Sequence, residues 1–392
     1  MEKIWVNIPD VLFFQEGPGV RNTQYTTEGV KLLNVANLVD GKVDLSTSDR
    51  YISEEEANGK YKHFLCDAGD FIIASSGIKV EYIDKKMGFV DESMLPLCMN
   101  TSTIRFKVLD EQQLRIRFFM YYLKSQHFKE QLFKQITGSA QLNYGPSHLK
   151  KMIMPLIDID KQDEIIACMD KVQAVIEKRQ QELVMLDDLI KARFVELFGD
   201  FKQTTTIARY ISELRGGKSL AGTEKCKNKV LKTGAATFGW FDPEQYKYLP
   251  TDYDPLPEHK VETGDVIISR MNTPELVGAC SYVFEAPDDM YYPDRLWKVI
   301  PQAETNPIFL WQLLWDREIR RQIKEKSGGT SGTMHNISKP KLLEIKCIDA
   351  PIELQEQFAD FVKQVDKSKV AVQKALNEAQ LLFDSLMQKY FG

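Results

Sequence analysis

The side chains best equipped for chemistry in this sequence are arranged to hold a partner rather than to break a bond. Six cysteines (Cys66, Cys98, Cys168, Cys226, Cys280 and Cys347) are scattered with no Cys-x-x-Cys pair, and five histidines are equally dispersed. Neither a metal site nor a disulfide scaffold is expected from them, and a reducing cytosol is the compartment they suit. Asp70, Glu262 and Asp265 read as turn and strand-start carboxylates rather than as a nuclease cluster. Asp254-Pro255-Leu256-Pro257 is the nearest string to the Asn/Asp-Pro-Pro-aromatic loop of an amino-methyltransferase, and it lacks the aromatic. There is no glycine-rich cofactor strand and no P-loop. No catalytic residue is expected.

What remains is a set of polar loops. They include Gly17-Pro18-Gly19-Val20-Arg21-Asn22, Ser75-Ser76-Gly77-Ile78-Lys79 and Thr137 to Pro146 in the first half. In the second half they include Arg215-Gly216-Gly217-Lys218-Ser219, Arg270-Met271-Asn272-Thr273-Pro274 and Ser327 to Asn336. Polar loops on a fixed frame are the usual place for recognition. The formal net charge of −5 argues against a polyanion partner, but its distribution argues for one. Nine Lys/Arg face three acids from Arg105 to Lys151, eight face two from Lys202 to Lys232, and eight face three from Arg317 to Lys346. Nine acids against six bases fill Asp160 to Gly199. Basic segments outside an acidic helix fit polyanion binding by the former.

The elements that must position these loops come twice. Apolar residues at Ile165, Met169, Val172, Ile176, Leu183, Leu186, Ile190 and Leu197 alternate spacings of four and three, the seam of a coiled coil, interrupted by Arg179 and Arg193. The pattern returns 193 residues on (358 − 165) at Phe358, Val362, Val365, Lys369, Val372, Leu376, Ala379, Phe383, Leu386 and Tyr390, and both copies stop at a Phe-Gly pair. Ahead of each helix lies a matching unit. Gly69-Asp70-Phe71-Ile72-Ile73 matches Gly264-Asp265-Val266-Ile267-Ile268, and a helix over Gln112 to Gln135 matches one over Pro307 to Lys326. Arg215-Gly216-Gly217-Lys218-Ser219 stands where Gly19-Val20-Arg21 stands in the first unit, and Gln162 is matched by Gln355. Phe118, Phe119, Tyr122, Leu123, Leu132 and Phe133 are core candidates in the first helix, and Trp311 and Trp315 in its repeat. Asp40-Gly41 signals a hairpin. With 392 residues there is room for two or three cores, and no apolar run approaches the roughly 20 residues of a membrane span.

In this order, repeated, the chain resembles the specificity subunit of a type I restriction–modification system over essentially its full length. The resemblance implies an α+β fold: two tandem target-recognition domains of mixed α/β structure (residues 1–157 and 200–351), each followed by a long helical arm (158–199 and 352–392). The arms would pair as an antiparallel coiled coil. It implies double-stranded DNA as a partner, read as a bipartite, interrupted target, one part per domain. It also implies two methyltransferase subunits and restriction/translocase subunits, with S-adenosylmethionine, ATP and Mg on those partners and no cofactor on this chain. The chain itself would be non-catalytic, cytoplasmic and without a membrane contact. Arg179 and Arg193 in the seam, and Leu142-Asn143-Tyr144-Gly145-Pro146 in place of a more regular loop, depart from the pattern. A type IIB-like recognition subunit, or a coiled-coil adaptor without nucleic acid, are the alternatives.

Ile165 to Leu197 is 33 residues, roughly 50 Å of helix at about 1.5 Å per residue. Antiparallel arms of that length would hold two readers one to two turns of B-DNA apart, at about 34 Å per turn. Arginine suits guanine, and Asn or Gln suits adenine. Base-reading candidates are Arg21, Asn22, Gln24, Ser75, Ser76, Lys79, Gln141 and Asn143 in the first unit. In the second they are Lys218, Ser219, Arg270, Asn272, Thr273, Thr330, Ser331, Thr333, His335 and Asn336. Tyr25 and Tyr144 are candidates to pack on sugar or thymine methyl. Phosphate candidates are Arg115, Arg117, Lys150, Lys151, Lys225, Lys227, Arg320, Arg321 and Lys324, together with Lys218.

Overall fold

The same turn starts the central strand of each of two units. Gly69 and Gly264 have φ of +87° and +96°, where a Cβ is disfavoured, and the aspartate that follows points inward. Asp70 Oδ2 accepts the Asp67 amide at 2.8 Å, and Asp265 Oδ2 accepts that of Glu262 at 2.8 Å. Each carboxylate meets a buried cation on the neighbouring strand: Arg105 at 3.1 Å and Lys298 at 3.0 Å. The Gly-Asp signal is thus a closed turn locked to the next strand.

The computed structural model describes residues 3–135, 142–331 and 333–392. Unit 1 comprises Met1–Arg179 with Ala375–Gly392, and unit 2 comprises Gln180–Lys374. In chain order, unit 1 contains β1 (Leu12–Glu16), β2 (Phe71–Ala74), β3 (Ser76–Ile78), β4 (Met87–Phe89), β5 (Thr103–Val108), α1 (Ile116–Lys124), α2 (Gln126–Gln135), β6 (Leu142–Asn143) and the start of α3 (Ile159–Phe198). Unit 2 contains the rest of α3, then β7 (Ile211–Gly216), β8 (Val266–Ser269), β9 (Met271–Asn272), β10 (Cys280–Tyr282), β11 (Leu296–Pro301), α4 (Pro307–Trp315), α5 (Arg317–Lys326), β12 (Gly328–Ser331), β13 (Met334–Asn336) and the first part of α6 (Ile352–Phe391).

Each unit is built on a four-stranded antiparallel sheet, in the order β1-β5-β2-β4 in one and β7-β11-β8-β10 in the other. A three-stranded sheet accompanies each. It is formed by Val30–Leu33 between Leu97–Met99 and Tyr51–Ile52 in unit 1, and by Lys229–Leu231 between Tyr246–Tyr248 and Met290–Tyr291 in unit 2. The buried strands read as apolar runs because both faces are covered. Phe71, Phe106 and Phe119 meet across the sheet–helix interface of unit 1, the last two with ring centroids 5.0 Å apart. Leu38–Val39 and Lys42–Val43 pair about the Asp40-Gly41 turn.

The helix expected over Gln112 to Gln135 is two helices, and so is its repeat. The break falls at Ser125 and Asp316, which leave helical geometry and cap the second helix: Ser125 Oγ accepts the Phe128 amide at 3.2 Å, and Asp316 Oδ1 those of Glu318 and Ile319 at 2.9 and 3.2 Å. Phe133, a core candidate, is 70% exposed because the second helix turns that face outward. Trp311 is buried, and Trp315 is half-buried with its indole donating to Cys280 O at 2.7 Å.

α3 and α6 are 40 residues each. In unit 1, Ile165, Met169 and Ile176 of α3 share a core with Phe383 and Phe391 of α6, and Val172, Leu376, Ala379, Leu386 and Tyr390 pack against it. In unit 2, Ile190, Phe194 and Phe198 of α3 share a core with Phe358, Val362 and Val365 of α6, flanked by Leu186 and Leu197. Early residues of one helix meet late residues of the other in both units, so the pairing is antiparallel. Val372 is buried and Leu183 half-buried. Polar seam positions are accommodated rather than excluded. Lys369 pairs with Asp187 at 2.6 Å, and the Arg193 guanidinium lies 5.7 Å from the Phe361 ring and pairs with Glu196 at 2.7 Å.

Candidate nucleic-acid interface

Strand order decides which loops meet. In unit 1 the end of β1, the end of β2 and the start of β5 lie together, since Ile104 pairs with both Glu16 and Ile73. The loops leaving them are stitched to one another by backbone hydrogen bonds: Gly17 N to Thr103 O at 2.9 Å, Ser75 N to Ser102 O at 2.8 Å and Tyr144 N to Ser75 O at 3.0 Å. Pairing of β3 with β6 sets Asn143 opposite Ser76. Unit 2 repeats the stitching with Gly217 N to Pro293 O at 2.9 Å, Arg270 N to Arg295 O at 3.1 Å and Ile337 N to Arg270 O at 3.0 Å. There β9 pairs with β13, which pairs with β12, setting Asn272 opposite His335 and Met271 opposite Asn336. Three loops distant in sequence therefore converge at one end of each central sheet.

The first of these loops corrects the sequence alignment. A Cβ on Gly17 would lie 2.0 Å from Asn100 O, and one on Gly217 1.9 Å from Tyr292 O. The glycine demanded by this close approach is Gly17 in one unit and Gly217 in the other, so the Arg215 to Ser219 stretch corresponds to the chain around Gly17 rather than to Gly19-Val20-Arg21.

Arg21, Asn22, Lys79 and Asn143 are exposed at or beside the unit 1 loops, and Ser76 is half-buried. Lys218 and Ser219 are exposed in unit 2. The Arg270 guanidinium lies 5.4 Å from the Trp297 ring, with Nε 3.5 Å from Asn336 Oδ1, so an aromatic face and an amide pre-position it. His335 Nδ1 is 3.1 Å from Ser327 Oγ. Thr333 precedes β13 and is exposed. Gln141 lies outside the described residues, as do the side chains of Thr330 and Ser331.

Several candidates have structural roles instead. Ser75 is 1% exposed, and its hydroxyl donates to Glu16 at 3.3 Å. Tyr144 is buried and donates to Ala74 O at 2.9 Å, so it is not available to a sugar. Gln24 is held by Glu56 at 2.6 Å and Tyr61 at 3.0 Å, and Tyr25 lies under Arg50 at 5.3 Å. Asn272 accepts the Thr273 amide at 2.9 Å, closing its own turn, and Ser219 binds Asp294.

The phosphate assignments need more correction. Arg115 forms a two-pronged pair with Asp163 at 2.8 and 2.9 Å, and Arg117 bonds Asp170 at 2.7 Å, so both tie α1 to α3. Arg320 donates to Val277 O and Glu275 O at 2.7 and 2.9 Å, and burial draws its pKa down. Arg321 is clamped between Glu318 and Glu325, and Lys324 faces Glu275 at 3.6 Å. Lys150, Lys151 and Lys225 are exposed, and Lys227 is exposed with Asp289 3.5 Å away.

Further cations beside the loops have no ion-pair partner among the described residues. A depression of about 440 Å³ in unit 1 is lined by Gly77, Lys79, Lys85 and Lys86. One of about 370 Å³ in unit 2 is lined by Ser219, Lys232, Lys247 and Arg295. The Lys85-Lys86 doublet is visible in the sequence; Arg295, in an acidic stretch with Asp288, Asp289 and Asp294, is not.

Residues 25–185 and 212–380 match the family described as the type I restriction modification DNA specificity domain. The chain belongs to this family. Each specificity-domain match covers one unit's β2–β5 or β8–β11 framework and runs into an arm. The chain is 20% identical over 292 residues to the type I restriction enzyme EcoKI specificity subunit of Escherichia coli, covering 69% of this chain and 63% of that protein. It is 24% identical over 181 residues to the MjaVIII specificity subunit of Methanocaldococcus jannaschii, covering 45% and 41%. It thus spans less than two thirds of the length of either relative. Among solved structures it resembles the S subunit of a type I restriction–modification system from M. genitalium, with a TM-score of 0.56 and 17% identity over 100% of this chain and 96% of that one. At that identity the likeness is one of fold.

Other chemistry finds little support in this specificity-domain frame. Burial pushes the thiols of Cys66, Cys98, Cys280 and Cys347 up to about 12, far from the thiolate a nucleophile needs. Among the described residues no group of three His, Cys, Asp or Glu could hold a metal ion. No described helix is long and apolar enough to cross a membrane.

Proposed function

We propose that this chain is the sequence-reading subunit of a type I restriction–modification complex. In this reading each unit reads one part of a bipartite double-stranded DNA target, and the chain directs methyltransferase and restriction subunits to it. S-adenosylmethionine, ATP and Mg would then be held by those partner subunits, and this chain would do no bond chemistry. The observation carrying the reading is the duplicated convergence of three loops at one end of a repeated sheet, with unlike side chains in the two copies. One framework with two different polar tips suits two unlike half-sites. The lysine-lined depressions beside the tips supply phosphate neutralisation without sequence information.

Two outcomes test it. Arg270→Ala, assayed on a panel of half-site variants, should relax preference at one base position by about 1–3 kcal/mol while leaving other positions unchanged. Lys232→Ala with Lys247→Ala should instead weaken all sequences alike and lower the slope of log affinity against log salt by about one per lysine. If Arg270→Ala weakens every variant equally, Arg270 is a phosphate contact. If a two-part methylated-adenine motif in the host genome survives deletion of the gene, the whole reading falls.

A further inference from the structure

One exposed cation recurs at the same place in both three-stranded sheets. Two hydrogen-bonded landmarks fix the correspondence. Lys31 stands opposite Tyr51 in unit 1, and Lys229 opposite Tyr248 in unit 2. The segment after the first loop joins the corresponding tyrosine in each, with Thr26 N donating to Tyr51 O at 3.0 Å and Gly222 N to Tyr248 O at 2.8 Å. One step along the strand from these tyrosines are Arg50, whose carbonyl accepts the Leu32 amide at 2.8 Å, and Lys247, which pairs with Val230. Arg50 and Lys247 therefore occupy one position of a duplicated framework. Both are exposed, and neither has an ion-pair partner among the described residues; Asp49, beside Arg50, is taken by Lys31 at 2.9 Å.

The residue before each of those amides decides how the cation is held. In unit 1 it is Tyr25, whose ring lies 5.3 Å from the Arg50 guanidinium and packs against the small core containing Val30, Leu32 and Ile52. The Tyr25 hydroxyl accepts from Asn100 Nδ2 at 3.4 Å, and Asn100 is the buried residue whose carbonyl closes on Gly17. Arg50 is thereby tied to the converging loops of its unit. In unit 2 the same place holds Ala221. With no ring there, Ala221 lines the depression of about 370 Å³ together with Val230, Lys247, Ser219 and Arg295.

The loops at the two tips differ in their side chains, as readers of unlike half-sites must. A cation kept at one register while its surroundings changed is matched to what the two half-sites share, and that is the sugar–phosphate backbone. We propose that Arg50, seated on Tyr25, and Lys247 each grip a backbone phosphate of the DNA. The three-stranded sheet of either unit is then a second, sequence-independent contact surface, and Tyr25 is a positioning residue for Arg50. This rests on the DNA-reading function proposed above and adds to it a surface outside the converging loops.

The test is binding of the full-length chain, as a function of salt, to duplexes carrying the two-part methylated-adenine motif of the host genome and to duplexes with either half varied. Arg50→Ala should weaken every duplex alike by about 3–10-fold and lower the slope of log affinity against log salt by about one, and Lys247→Ala should do the same. Arg50→Lys keeps the charge, so it should retain the slope while losing part of the affinity. Tyr25→Leu should weaken binding on its own and add nothing to Arg50→Ala, a coupling that a merely structural ring would not show. Unchanged affinity and slope in Arg50→Ala, or preference lost at a single base position, would overturn the phosphate contact and leave the DNA-reading function standing. Equal losses from Tyr25→Leu with and without Arg50 would overturn the positioning role. Sequence-blind binding by the unsubstituted chain would instead overturn the DNA-reading function itself, and with it the argument from unlike half-sites.

Discussion

Asp70→Ala is expected to destabilise unit 1 by about 3–5 kcal/mol, the cost of removing one partner from a buried ion pair. Arg105 is 6% exposed and donates to Asp70 at 3.1 Å, to Gln15 at 2.5 Å and to the carbonyls of Leu65 and His63 at 2.7 and 3.0 Å. Without the carboxylate the guanidinium stays charged, because arginine does not give up its proton in proteins, and its charge has no counter-ion in the core. The Asp67 amide loses its acceptor as well, so the turn that starts β2 opens. The homologous change, Asp265→Ala, should cost less. Lys298 retains Glu262 at 2.5 Å, and burial already raises the Asp265 pKa, so its ionised form contributes less. Denaturant midpoints with hydrogen exchange read on β5 and β11 would separate the two units. Equal losses in both would show that the cation's identity does not matter and that only the turn does.

That pair also marks where sequence reasoning succeeds and where it stops. The Gly-Asp turn, the apolar strand behind it and the heptad helices are legible from spacing within one segment, and the duplication from its recurrence. The antiparallel pairing of the arms is implied by the family resemblance and is seen in the cores of both units. Of the heptad positions from Ile165 to Leu197, Ile165, Met169, Ile176 and Ile190 are buried and Val172, Leu183, Leu186 and Leu197 half-buried. At the end of α3 the core is filled by Phe194 and Phe198, which the four-three spacing does not name. What spacing cannot carry is a partner far away in the chain. Arg115 and Arg117 count towards a basic segment, yet their carboxylates, Asp163 and Asp170, are about fifty residues on, in the arm. Arg320 and Lys324 are likewise satisfied from residues 275 and 277. Conversely, Arg295 and Lys247 gain meaning only when strand pairing brings their loops to Ser219. Gly17 looks like one glycine among several until the carbonyl of Asn100 is placed against it. The helix break at Ser125 was hidden for a related reason: serine in a helix signals a cap only when the following amides turn back to it.

Gln162 carries the second large effect. It is fully buried at the start of α3, and its amide is used at both ends. Nε2 donates to Gln113 O at 2.8 Å and to Ile157 O at 2.9 Å, while Oε1 accepts the Arg115 amide at 2.9 Å. One side chain therefore joins the segment before α1, the strand leading into the arm and the arm itself. Gln355 does the same in unit 2 with Ala350 O at 2.8 Å and the Asn306 amide at 3.0 Å. Gln162→Leu keeps the volume and removes all three bonds, leaving buried backbone groups without partners at about 1–3 kcal/mol each. A loss of about 3 kcal/mol or more is expected for Gln162→Leu, and less for Gln355→Leu, which forfeits two bonds rather than three. Gln162→Glu separates the roles of the two ends. A carboxylate can still accept from Arg115 but cannot donate to either carbonyl, and its charge is buried, so it should be no better tolerated than leucine. Hydrogen exchange of the Arg115 amide distinguishes them: fast in Gln162→Leu, protected in Gln162→Glu if the acceptor end is what fixes α1 to the arm. Protection in both would show that helix packing alone holds the junction, and would remove the glutamine from that role.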